Sequence, residues 1–184
     1  MTTWRRETNE TKVRVTLRPR RPEDGEGSIA TTDAFLDHML TVLARYGNLY
    51  LEVEASGDLR HHLVEDVALT LGLALRDAIP AACARYGEAT VPMDDALVQV
   101  ALDLGERSYY RGPLPSPLYD HLFRSLAENA RITLHVQALR GRDRHHTVEA
   151  AVKALGMALR QALVPTGETF STKGAVRLER EEEA

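Results

Sequence analysis

The string His61-His62-Leu63-Val64-Glu65 returns as His145-His146-Thr147-Val148-Glu149. The copies stay in register around it. His38, in Phe35-Leu36-Asp37-His38, matches His121, in Leu118-Tyr119-Asp120-His121, at an offset of 83, and His61 matches His145 at 84. Between His61–Ile79 and His145–Leu163, 10 of 19 positions are identical. Self-similarity at a fixed spacing means one supersecondary unit present twice. The expected architecture is therefore an internally duplicated half-domain, residues 1–87 and 88–184, with the halves related by a pseudo-two-fold and acting as one functional unit.

Each half reads as strand, strand, helix, strand, helix. Val13, Val15 and Leu17 alternate with polar residues, as do Leu49, Leu51, Val53 and Ala55. The second half answers with Val98, Val100, Leu102 and Leu104, then Ile132, Leu134, Val136 and Ala138. Such alternation marks sheets with one buried face. Phe35, Met39, Val42 and Tyr46 fall on one stripe of a helix, and Val64, Val67, Leu71, Leu75 and Ala78 on one stripe of another. Sheets with helices on one face describe an α+β fold, here in two copies. Gly72 and Gly156 hold equivalent mid-helix positions. A helical glycine costs about 1 kcal/mol relative to alanine, so a repeated one implies close packing, expected here between helix and sheet. Arg18–Gly27 breaks the alternation with proline, glycine and charge and reads as a long hairpin loop, its arginines 18, 20 and 21 solvated. The tail Arg177–Ala184 reads as solvated.

With 43% hydrophobic residues the chain can build a sizeable core, while a net charge of -4 gives no nucleic-acid footprint. No run approaches the ~20 apolar residues of a membrane span. The lone Cys83 cannot form an internal disulfide and reads as a small buried hydrophobe. A cytoplasmic protein without nucleic-acid or membrane partners is the expectation.

Histidine is the commonest transition-metal ligand, and a histidine and a glutamate four apart on a helix share a face. Adjacent helical residues point about 100° apart, so His61 with Glu65 can grip one ion while His62 reaches another. His145, Glu149 and His146 repeat the arrangement, and His38 and His121 remain as matching single ligands. Pseudo-symmetry demands equivalent sets but leaves open which half, or which subunit, completes each. Imidazole and carboxylate without thiolate suit Mn, Fe, Co, Ni or Zn. His135 sits mid-strand without a counterpart in the first half and reads as structural.

These strings resemble the imidazoleglycerol-phosphate dehydratase family of histidine biosynthesis. The resemblance runs from about Arg5 to Val176, through Asn9-Glu10-Thr11, Phe35–Met39, both HHxxE motifs, Arg85-Tyr86-Gly87, Val91–Leu97 and Ser171-Thr172-Lys173-Gly174. It implies two similar α+β halves, each like the second domain of ribosomal protein S5. It further implies two Mn(II) ions per active site, no organic cofactor, and sites built between subunits of a 24-mer. By position, one ion takes His38, His62, His145 and Glu149, and the other His61, Glu65, His121 and His146. Arg85, Arg107, Ser171, Thr172 and Lys173 fall at the family's phosphate positions, and Lys153 lies two turns beyond His145, facing the substrate. Glu10 lies near the substrate diol, and either Glu10 or Glu149 moves the proton.

The implied reaction removes water from imidazoleglycerol phosphate to give imidazoleacetol phosphate. Its difficulty is expelling hydroxide from carbon beside an imidazole ring, which two Lewis-acidic ions on the ring nitrogens relieve. The chain departs from the family pattern before the first His-His. There Gly57-Asp58-Leu59-Arg60 runs directly into His61, shorter than usual and with no acid adjacent. Acids beside ligating histidines fix their orientation, so reduced rather than absent activity is expected. The alternative is a catalytically impaired relative acting as a metal-stabilised binding or assembly protein.

Overall fold

The structure is a computed structural model and describes residues 2–167. The first half comprises β1 (Thr3–Glu7), β2 (Thr11–Pro19), β3 (Ile29–Ala30), α1 (Ala34–Gly47), β4 (Leu49–Gly57) and α2 (Arg60–Ala78). The second repeats it as β5 (Tyr86–Met93), β6 (Ala96–Asp103), β7 (Tyr109–Arg111), α3 (Pro117–Ala130), β8 (Thr133–Arg140) and α4 (Arg144–Ala162). The sheets have orders β1-β2-β4-β3 and β5-β6-β8-β7, so the duplication extends to topology.

The alternating residues pair across the strands: Val15 opposes Val53 in β2 and β4, and Val100 opposes Val136 in β6 and β8. All four are buried. Three strands, not two, precede the first helix of each half. The additional ones include β3 and β7, short edge strands parallel to β4 and β8. They are too short to display a period. The segment after β2 consequently crosses to the far edge of the sheet and forms no hairpin. Arg18 belongs to β2 and is half-buried; its guanidinium pairs with Asp24 and lies 4.4 Å from the centre of the Tyr50 ring.

α2 packs on β1 and β2 and α4 on β5 and β6, while α2 also packs on α3 and α1 on α4. The helices of the two halves therefore meet each other, with the sheets outside. One hydrophobic cluster runs through both, from Val13 to Leu163, and includes Cys83. The repeated glycines serve this helix-to-helix contact rather than a helix-to-sheet one. A Cβ on Gly72 would stand 2.8 Å from the Leu126 carbonyl oxygen of α3, and one on Gly156 2.9 Å from the Gly47 nitrogen of α1. No helix among the described residues is long and apolar enough to cross a membrane.

Candidate metal centre

Both His-His pairs lie in the first turn of a helix, and the single histidines lie in the first half of another. Local bonds fix those helix starts. Asp33 caps α1 by accepting from the Leu36 amide at 2.8 Å, and Asp143 caps α4 by accepting from the His145 amide at 2.7 Å. The aspartate preceding each single histidine ties its helix to the loop before it: Asp37 accepts from the Thr31 hydroxyl and Asp120 from the Tyr110 hydroxyl, both at 2.6 Å. Arg60, the first residue of α2, donates to Asp33 at 2.5 Å and so joins the starts of α2 and α1.

Because α1 packs on α4 and α2 on α3, each motif meets the single histidine of the opposite half. His38 Nε2 lies 3.3 Å and His145 Nε2 3.1 Å from Glu149 Oε2. His121 Nε2 lies 3.3 Å from Glu65 Oε1, and His61 Nε2 3.6 Å from Glu65 Oε2. In each trio the ligand atoms lie within 4.8 Å of one another, close enough for one ion. His121 Nε2 is out of solvent contact and makes no hydrogen bond, with Glu65 Oε1 its near neighbour, a place where a cation between the two would satisfy both. Burial pushes the Glu149 carboxyl up, but hydrogen bonds and charge from Lys153 and His38 outweigh it and hold it below the usual carboxylate range.

His62 and His146 stand apart from both trios. His62 Nδ1 lies 2.9 Å from Asp58 Oδ1 and 3.4 Å from Glu10 Oε2. His146 Nδ1 lies 2.7 Å from Asp95 Oδ1, and its Nε2 3.4 Å from Asp94 Oδ2. Hydrogen bonds donated to the Asp58 and Asp95 carboxylates raise the pKa of His62 and His146 respectively. Asp58, the nearest acid before the His-His pair, thus bonds His62, while the residues adjoining His61 carry none. Asp95 went unrecognised as a histidine partner in the sequence; it occupies the β5–β6 turn as Glu10 does the β1–β2 turn, and that match was its only signal.

Among the described residues, the expected phosphate contacts Arg85 and Arg107 belong to neither trio. Arg85 donates to Asp103 through Nε at 2.6 Å and Nη2 at 2.9 Å, at a cleft of about 380 Å³ that Arg76 and Arg131 also line. Arg107 is exposed and follows Glu106, which lines the same cleft; the Arg107 carbonyl accepts from the Thr133 hydroxyl at 3.1 Å. Lys153 Nζ lies 2.9 Å from Glu149 Oε1. Ser171, Thr172, Lys173 and the tail Arg177–Ala184 lie outside the described residues. His135 joins neither trio; it is exposed on β8, its ring 5.3 Å from that of Tyr109.

Fold and site together define a duplicated α+β protein carrying two crossed histidine–carboxylate clusters. The family model for imidazoleglycerol-phosphate dehydratase matches residues 31–159. The imidazoleglycerol-phosphate dehydratase of Methanothermobacter thermautotrophicus is 48% identical over 185 residues, covering 92% of this chain and 94% of the relative. That of Salinibacter ruber is 45% identical over 194 residues, with 95% and 94% covered. The crystal structure of IGPD from Pyrococcus furiosus in complex with (S)-C348 is similar at a TM-score of 0.84 and 41% identity, covering 94% of this chain and all of that one. The chain belongs to the imidazoleglycerol-phosphate dehydratase family, a family of hydro-lyases.

Proposed function

We propose that this chain converts imidazoleglycerol phosphate to imidazoleacetol phosphate and water in histidine biosynthesis, at a site holding two divalent ions, Mn(II) first among them. The crossed clusters carry the reading: two trios of pure nitrogen and oxygen donors, equivalent by internal symmetry, with an orphaned imidazole nitrogen in one. His38, His145 and Glu149 hold one ion with His62 as fourth ligand; His61, Glu65 and His121 hold the other with His146. The residues 1–87 and 88–184 act as one unit, since each trio draws on both.

His62 and His146 belong to neither trio of their own chain. The cleft at Arg76 lies fifteen residues along α2 from His61, about 22 Å at the rise of a helix. A substrate of this size cannot span that gap within one chain. Both observations support sites completed by neighbouring copies in a closed homo-oligomer, a 24-mer as the family implies.

Bound divalent ions supply Lewis acidity to the two ring nitrogens. The chain's residues do the remainder. Asp58 and Asp95 take the Nδ1 side of His62 and His146, which leaves Nε2 as the nitrogen that would meet an ion, with Asp94 3.4 Å from that of His146. Arg85, Arg107, Ser171, Thr172 and Lys173 receive the phosphate dianion, for which forked cationic donors are suited. Lys153 borders the Glu149 trio as the cation nearest the substrate there. Glu149 is engaged as a ligand, so Glu10, on the exposed β1–β2 turn, moves the proton from the carbon that becomes the enol. The alternative of an inactive assembly protein leans on the shortened segment before His61; the bond of Asp58 to His62 speaks against it.

Formation of imidazoleacetol phosphate by Mn(II)-loaded protein tests the reading. Turnover is expected, and Glu10→Gln should abolish it while metal content stays at the wild-type level. No product with both sites filled would overturn the dehydratase assignment.

A further inference from the structure

The two trios match in ligand type but not in charge. Glu149 is only 8% exposed at its side chain, and Lys153 occupies its Oε1 at 2.9 Å, so Oε2 alone faces His38 and His145. Lys153 is itself pinned: its Nζ lies 3.5 Å from Met93 Sδ and 5.7 Å from the centre of the Tyr46 ring, and its side chain is 17% exposed. Glu65 is 36% exposed and turns one oxygen to His121 and the other to His61. The residue four after Glu65, where Lys153 stands after Glu149, is Leu69. Among the described residues, Glu65 stands within 4 Å of those two imidazoles and makes no ion pair with a lysine or arginine.

We infer that the two trios hold a divalent cation unequally, that Lys153 sets the difference, and that the His61–Glu65–His121 trio fills first. This rests on the metal-binding reading above. An ion arriving beside Glu149 meets a carboxylate whose charge an ammonium already offsets, in a position where burial weakens screening. It finds a single oxygen unless Lys153 moves. An ion arriving beside Glu65 meets an uncompensated carboxylate with both oxygens turned toward the ligating rings. The opposing effect is that Lys153 holds Glu149 in place and so preorganises the trio. That effect is the smaller one, because the Glu149 side chain is buried and faces two imidazoles without help.

The test is titration of Mn(II) into metal-stripped full-length protein, with free ion followed by its solution electron paramagnetic resonance signal. Two phases are expected. Their dissociation constants should differ by about tenfold or more, the scale of a divalent–monovalent repulsion across ~4 Å even with the screening of bulk water. His121→Ala should remove the tight phase and His38→Ala the weak one. Lys153→Met should tighten the weak phase by about tenfold, Lys153→Arg should leave it unchanged, and Leu69→Lys should weaken the tight phase. If Leu69→Lys fails to fold by circular dichroism, Lys153→Met decides alone. Two equal phases, or a Lys153→Met protein that binds its second ion more weakly, would overturn the inference while leaving the metal centres in place. No Mn(II) uptake by the wild-type chain would overturn the metal reading beneath it.

Discussion

Replacing Asp95 should cost this protein more metal affinity than replacing Asp58, although both make the same kind of bond. A carboxylate on Nδ1 of a ligating histidine fixes the ring and directs the Nε2 lone pair, and its loss typically costs ~10–100-fold in affinity, or about 1.4–2.7 kcal/mol. Asp95 is itself clamped, its Oδ2 accepting from the amides of Arg142 at 2.5 Å and Asp143 at 3.1 Å while Oδ1 meets His146 at 2.7 Å. Asp58 accepts from the Leu59 amide at 2.6 Å and meets His62 at 2.9 Å, but Glu10 stands 3.4 Å from the same nitrogen. Asp95→Ala should therefore fall at the upper end of that range and Asp58→Ala at the lower, with Glu10 standing in. The double change Asp58→Ala/Glu10→Gln should cost more than the two single changes combined, because each carboxylate covers for the other.

The deficit should also depend on pH in a defined direction. Metal binds the neutral imidazole, so protons compete with it. Asp58 and Asp95 raise the histidine pKa values, which extends that competition to higher pH in the wild type. Removing either acid weakens the metal-bound form but also relieves the competition. The gap between wild type and variant should be widest at pH 8 and narrow toward pH 6. Calorimetric titration with Mn(II) at both values measures it. A larger loss for Asp58→Ala than for Asp95→Ala, or a gap that widens on acidification, would refute the assignment of these acids as histidine partners.

Gly156→Ala and Gly72→Ala gain about 1 kcal/mol of helix propensity but force a methyl onto backbone at 2.9 and 2.8 Å. Overpacking at ~1–3 kcal/mol wins, so each should lower the melting temperature by roughly 2–4 °C per net kcal/mol, and a rise would show that the helices have room. Arg107→Ala should raise KM for imidazoleglycerol phosphate with metal content unchanged, since a lost phosphate contact acts on the substrate; loss of metal instead would contradict its role. The hydrogen bond from Arg18 holds the Asp24 carboxyl down at about 2, so its stabilising contribution is present above the ordinary carboxylate value and lost as pH falls through that point. Asp24→Asn should accordingly unfold at lower denaturant concentration than wild type at pH 6, and the difference should close near pH 2; a constant difference would argue against the ion pair.

The duplication, the helices and the six residues that meet in the two trios are legible because each leaves a repeated or periodic trace. Val15 and Val100 alternate visibly with polar neighbours, and His61 and His145 carry ten matching positions with them. β3 and β7, two and three residues long, cannot show a period of two and became visible only through their pairing. Gly72 and Gly156 announced a close approach, but a glycine records only that something is near; the chain's topology decides that it is a helix. Asp95 lies fifty-one residues before His146, and no local pattern connects a turn carboxylate to a helix start so far along the chain. Asp58 is hidden for a simpler reason: it is not adjacent to the histidine pair in sequence, yet at four residues before His62 it reaches that ring.

The crossing of the halves explains why a duplicated chain need not carry two self-contained sites. Had each HHxxE motif met the single histidine of its own half, either half could hold an ion alone. Instead α1 lies on α4 and α2 on α3, so His38 serves the motif of the second half and His121 that of the first. The two inter-helix contacts that bring the ligands together are the same ones that Gly72 and Gly156 permit, and the buried cluster between the sheets is continuous through them. Packing of the halves and assembly of the trios are therefore a single event. Any change that spreads α1 from α4 separates His38 from Glu149 directly, while the trio on α2 and α3 feels it only through the shared core. Internal symmetry makes the trios alike, and the crossing makes each of them depend on both halves.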